Sequence, residues 1–111
     1  MPPALQPWSS RDATREVWLG FIRLHVLYHA GQGPVYGMWL IDELARHGYR
    51  MSAGTLYPVL HSLASRGLMR RSERLHNGKI RKYYSLTGKG RRALVQMQRQ
   101  LAELVAEVLP R

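Results

Sequence analysis

The chain has 111 residues, 45 % of them hydrophobic, which suits one domain with a modest core that a second subunit would complete. Seventeen Lys and Arg against seven Asp and Glu leave a formal charge of +10, and such an excess favours a polyanionic partner through counterion release. There is no cysteine for a disulfide or a thiolate metal site, no apolar run of about 18 residues to span a membrane, and no leader pattern in MPPALQPWSS; a cytoplasmic protein with no membrane association is expected.

Residues 1–10 hold three prolines and no periodicity, so they read as an irregular arm, with Ser9 or Ser10 capping the first helix. From Arg11 to about Ala30 the apolar residues form two adjoining stripes, Val17/Phe21/Leu24/Tyr28 and Trp18/Ile22, the pattern of a mostly buried helix. Gly31-Gln32-Gly33-Pro34 should end it. A second helix is expected from about Tyr36 to His47, with Gly37, Leu40, Ile41 and Leu44 inward and Trp39, Asp42, Glu43 and Arg46 on the polar face. Ser52 is placed to cap a third helix that ends at Gly67, its inward face Leu56, Val59, Leu60 and Leu63 and its outward face Thr55, Pro58, His61, Ser62 and Ser65. Pro58 faces Gly54 four residues back, so only a slight kink is expected.

Two strand-like runs come next, Leu68 to Leu75 and Ile80 to Leu86, joined through His76-Asn77-Gly78-Lys79. Asn-Gly is the strongest short hairpin signal, because both central positions of the turn need positive φ. Thr87 then caps a helix to about Leu109 on which Leu94, Met97, Leu101, Leu104 and Val108 step by three and four, the spacing of a two-heptad seam between helices. The fold class expected is mainly α with a small β-hairpin: a winged helix-turn-helix over residues 11–86, with a C-terminal dimerisation helix over 87–111. A helix of this kind can enter a major groove while the ribbon beside it reaches phosphates or the minor groove. The charge agrees, since twelve Lys and Arg but one acid, Glu73, lie between Arg46 and Arg92.

The residues that carry this pattern resemble the PadR-type transcriptional regulators, in particular the short members built of a winged helix and one terminal helix. The matching pieces are Tyr36-Gly37 with Leu40-Ile41 and Leu44, Gly54-Thr55-Leu56-Tyr57-Pro58 with Leu60 and Leu63, Gly67-Leu68, and Arg81-Lys82-Tyr83-Tyr84 with Leu86-Thr87 and Gly90. Together they cover about Val17 to Leu109. The resemblance implies a two-fold dimer through the last helix and binding to a palindromic operator in double-stranded DNA, usually as a repressor that an effector releases. Trp39, His25 and His29 depart from the usual pattern and bear on which signal is sensed.

The DNA-contact candidates are Ser52, Thr55, Tyr57, Pro58 and His61 on the third helix and His76, Asn77, Lys79, Arg81 and Lys82 on the wing. The helix face has no Arg, Asn or Gln to pair with base edges, which shifts selectivity toward DNA shape. Tyr57 is expected to pack its ring and extend its hydroxyl, Lys79 to reach a phosphate from the tip, and Arg81 to lay its stem beside Tyr83. Trp39 reads as a contact for a partner's terminal helix, and Trp8, Trp18 and Trp39 together as the lining of an apolar effector cavity, against plain core packing. His25 and His29, four apart on one helix face, have the spacing of a metal pair, with His47 a third ligand; packing histidines are the ordinary alternative. No motif places acids, serine and histidine for catalysis, and no cofactor or enzymatic activity is expected. The competing class is a basic winged-helix module for RNA or protein.

Overall fold

A computed structural model describes residues 13–110, so the 1–10 arm, its Ser9 or Ser10 cap and Trp8 lie outside the described residues. Helix α1 spans Ala13–Gln32 and is followed by strand β1, Val35–Tyr36, and helix α2, Gly37–Arg46. Helix α3 covers Ala53–Ser65, strands β2 and β3 cover Met69–His76 and Lys79–Leu86, and helix α4 covers Gly88–Val108. The sheet is antiparallel in the order β1-β3-β2. This is a winged helix-turn-helix with a terminal helix, and four helices outweigh one small sheet.

The hairpin forms where the Asn-Gly pair places it. Asn77 and Gly78 have φ of 51° and 79°, so both central residues adopt the left-handed geometry of a two-residue type I′ turn. The strands therefore reach one residue closer to the turn than expected, and His76 pairs directly with Lys79. Strand β1 has no signature in the sequence: Val35 and Tyr36 pair with Tyr84 and Tyr83, and two residues between Pro34 and Gly37 are too few to show a period.

The core gathers Ile22, Val26, Leu27 and Ala30 of α1, Val35 of β1, Leu40 and Leu44 of α2, and Leu56, Val59, Leu60 and Leu63 of α3. Met69, Tyr84 and Leu94 close it from the sheet and α4. The third helix buries the four residues expected of it. The first does not: Val17, Phe21 and Tyr28 of the proposed buried stripe are exposed, because α1 carries more apolar surface than the rest of one chain covers. Gly31 and Gln32 also continue that helix for two residues past Ala30. Ser52 occupies the N-cap of α3 in an extended conformation, but its side chain makes no cap bond. Its carbonyl instead accepts the Thr55 and Leu56 N–H groups at 3.1 Å each, leaving the hydroxyl exposed at the helix start.

The start of α4 is tied tightly to the end of α3. Thr87 accepts the Gly90 N–H at 3.0 Å and donates its own hydroxyl to the Gly67 carbonyl at 2.6 Å, while Lys89 donates to the Arg66 carbonyl at 3.0 Å. Gly90 is buried here, and a Cβ on it would collide with the Leu68 carbonyl and Leu86. A glycine-to-alanine change in a helix ordinarily gains about 1 kcal/mol, but overpacking against immovable backbone costs about 1–3 kcal/mol. Gly90→Ala should therefore lower the unfolding free energy in urea.

Candidate functional site

One concave face is built from the start of α2, from α3 and from the wing. It is lined by Tyr36, Gly37 and Met38, by Tyr57 and His61, and by His76, Asn77, Lys79, Arg81 and Lys82 with Arg71 and Ile80. Successive residues of a helix turn by 100°, which brings Tyr57 and His61 to the side of α3 nearest the wing. Thr55 and Pro58 line a separate shallow cleft against Arg15, Leu19 and Arg23 of α1, so the α3 candidates divide between two sides of one exposed helix. Ser52 stands exposed at its start. Tyr57 packs its ring as expected, against α2, but its hydroxyl does not extend from the helix: ring and hydroxyl both lie where a Cβ at Gly37 would be.

Arg81 lies over the Tyr36 ring at 3.9 Å and Arg74 over the Tyr83 ring at 4.8 Å, with the two tyrosines edge to face at 5.5 Å. The expected Arg81–Tyr83 packing is thus replaced by Arg81–Tyr36, because β1 inserts Tyr36 beside Tyr83. Arg74 and Arg81 are direct cross-strand partners. Like charges at that spacing repel, and each guanidinium is held instead by the negative face of an aromatic ring. Among the described residues, the Lys and Arg within 4.0 Å of a carboxylate are Arg46, on Glu43, and Arg71, on Glu73.

Sequence reasoning missed Arg71, Met38 and Ile80 on this face. Arg71 pairs with Tyr84 and Leu75 with Ile80, so period-two alternation in the strands could have placed Arg71 and Ile80. Leu75 and Ile80 form an apolar pair near the wing tip, 75 % and 66 % exposed.

A second concavity, about 430 Å³, opens between α1, the α2–α3 connection and α4. Phe21, Leu24, His25, Tyr28 and His29 line one wall, His47 and Tyr49 another, and Leu94, Gln98 and Leu101 the third. Neither Trp18 nor Trp39 borders it. Trp18 packs against Tyr49 at 6.4 Å, and Trp39 sets its ring edge-on to His29 at 5.4 Å, so the two do not meet in a shared cavity. Glu43, expected on the polar face of α2, turns toward α1: its Oε2 lies 3.2 Å from His47 Nε2 and 3.8 Å from His29 Nε2. His25 stacks beside them, 5.4 Å from the His47 ring and 6.3 Å from the His29 ring. Glu43 of α2 thus adds a carboxylate to His29 and His47, and His25 of the expected pair stands outside the set of donors that converge.

The transcriptional regulator PadR-like family profile matches residues 26–96. Transcriptional regulator Rv3488 of Mycobacterium tuberculosis is 48 % identical over 95 residues, 86 % of this chain and 89 % of that protein. Among solved structures, a PadR family transcriptional regulator from Eggerthella lenta superposes with a TM-score of 0.75 at 35 % identity, covering 84 % of this chain and 82 % of that one. A Streptococcus transcriptional regulator gives 0.76 at 30 % identity over 83 % and 92 %.

The chain belongs to the PadR family of transcriptional regulators.

In this PadR regulator the terminal-helix seam is only partly used within the chain. Leu94 is buried and Met97 partly so, whereas Leu101, Leu104 and Val108 are exposed. Val17, Gly20, Phe21 and Leu24 of α1 and Met97, Leu101 and Leu104 of α4 border one open apolar cleft. No described helix is long and apolar enough to cross a membrane.

Burial pushes the pKa of His25 and His29 below the ordinary imidazole value of 6.5. At His25 the neighbouring His47 and His29 add to that effect and Glu43 opposes it; at His29 Glu43 opposes it and His47 adds to it. The unfolded chain then binds more protons than the folded one as pH falls below 6.5, so stability is fully present above that pH and is lost toward each folded-state pKa. In chelated buffer the melting temperature should drop between pH 7.5 and pH 5, and the drop should shrink in the His25→Gln/His29→Gln double variant.

Proposed function

We propose that this PadR regulator acts as a homodimeric repressor that binds a palindromic operator in duplex DNA and leaves it when an effector enters the cavity beside α4. The observation that carries the reading is the basic concave face in which Tyr57 and His61 of α3 stand beside His76, Asn77, Lys79, Arg81 and Lys82 of the wing. α3 would lie in the major groove while the wing contacts the backbone or minor groove, with Lys79 and Lys82 supplying phosphate contacts. Ser52, Thr55 and Pro58 would complete the helix contact. With no bidentate base reader on α3, selectivity would rest largely on shape.

The domain division belongs to the same reading: residues 11–86 bind DNA and 87–111 hold the dimer. Leu104 is 47 % and Val108 58 % exposed, and a second α4 laid along the α1–α4 cleft would cover Leu101, Leu104 and Val108. Two recognition helices held this way should meet successive major grooves about 34 Å apart. Leu94, Gln98 and Leu101 of α4 border the aromatic cavity, so a ligand there would shift α4 against α1 and with it the spacing, as a population shift between two dimer geometries.

A gel shift on the DNA upstream of the protein's own gene, run at two salt concentrations against random duplex, tests the reading. Retention with a preference over random DNA is expected, and equal binding to any polyanion would overturn it in favour of a general basic module. Lys79→Ala should weaken binding uniformly across sequences and reduce the slope of log K against log salt by about one. Leu101→Asp/Leu104→Asp should yield a monomer by sedimentation, with operator affinity lowered at least about 10-fold because two half-sites are no longer bound together.

A further inference from the structure

His29 closes the last turn of α1, and Glu43 and His47 stand four residues apart at the end of α2, so packing of the two helices brings one side chain from the first against two from the second. The ligand atoms of all three lie within 4.8 Å of one another. Both imidazole Nε2 atoms face the same carboxylate oxygen, Glu43 Oε2, at 3.2 and 3.8 Å, while Arg46 Nε approaches the other oxygen at 3.8 Å. The side chains of Glu43 and His29 are only 19 % and 14 % exposed.

A hydrogen bond explains half of this arrangement. His47 to Glu43 is within range, but His29 at 3.8 Å is too far to donate or accept. Two ligands of a tetrahedral zinc ion, each about 2.0–2.1 Å from the metal, are about 3.3 Å apart. The two carboxylate separations straddle that value and the two imidazole donors lie within 4.8 Å of each other, so closing the set takes small rotations of both His29 and the half-exposed His47. Two imidazoles and a carboxylate are a donor set that suits zinc-type cations over magnesium or calcium, which prefer all-oxygen shells. The three donors stand beside the aromatic cavity, whose wall includes His29 and His47, so a fourth position is open to water or to a ligand held there.

We propose that His29, Glu43 and His47 bind a zinc-type divalent cation that clamps the end of α1 to the end of α2, with a fourth coordination position facing the cavity. The site rests on these side chains alone and is read without DNA, so it stands or falls independently of operator binding. His25 packs beside the ligands and does not enter the shell.

The test uses the full chain, free of any polyhistidine tag and stripped with chelator, titrated with cobalt and then zinc. One cobalt per chain with the intense visible absorption of a tetrahedral centre, displaced by zinc, is expected. Zinc should shift the ring resonances of His29 and His47 in imidazole NMR spectra of the parent protein while those of His61 and His76 stay in place. His29→Gln and Glu43→Gln, checked for folding by circular dichroism, should each weaken zinc at least about 10–100-fold, the range that even outer-shell partners of metal sites are worth. A spectrum of octahedral cobalt only, zinc affinity equal in parent and variants, or ring shifts at His61 or His76 in place of His29 and His47 would overturn the proposal and leave Glu43 a simple hydrogen-bond acceptor between two helices.

Discussion

The joint between α3, β2 and α4 is the constraint on which the rest of this molecule depends. Here the Gly67 carbonyl takes the Thr87 hydroxyl, the Arg66 carbonyl takes Lys89, the Leu68 carbonyl takes the Thr87 N–H at 3.1 Å, and Gly90 presses its bare Cα against that same carbonyl. Hydrogen bonds of this kind contribute about 1 kcal/mol each, a modest sum. Their larger effect is geometric: they couple the chain just after α3 to the first turn of α4. In the proposed dimer, any change in how two α4 helices cross passes through this joint to the helix that would enter the groove.

The charge on the wing is arranged by the same economy of parts. Arg74 and Arg81 sit opposite each other in the hairpin, and each guanidinium is seated over a tyrosine ring, Arg81 on Tyr36 and Arg74 on Tyr83. Two residues of β1 thus do more than lengthen the sheet. They provide the ring that holds Arg81 and, through Gly37 and Tyr57, fix the start of α2 against α3. Lys79 and Lys82, exposed on β3, keep the conformational freedom that phosphate contacts tolerate.

What could be read in the sequence was whatever a local signal specifies. Asn77-Gly78 set the turn, Thr87 the cap, and the Leu56/Val59/Leu60/Leu63 spacing the inward face of α3, because each depends on neighbours within one turn of chain. The misreadings share the opposite cause. The hairpin alone matches Arg81 to Tyr83, because nothing within it reveals that Tyr36 pairs alongside. Glu43 belongs by helical spacing with Asp42 and Arg46, yet the end of α1 comes down on that side of α2 and turns it into a half-buried partner of two histidines. Val17, Phe21 and Tyr28 have the period of a core stripe, and period alone does not say whether the surface that covers it belongs to the same chain.

That last ambiguity connects the two halves of the molecule. α1 packs on α2, α3, β3 and α4, so its inner face is taken up in holding the winged-helix unit together and its outer face is left beside α4. The cavity lies where those roles meet, with Phe21 and Tyr28 on the outer side and His25 and His29 on the flank toward α2. A group bound there would touch the helix on which both the winged-helix unit and the terminal helix lean. In the proposed reading, occupants of differing size or charge would bias α4 without touching the basic face, so a signal site and a DNA site would vary independently on one small fold.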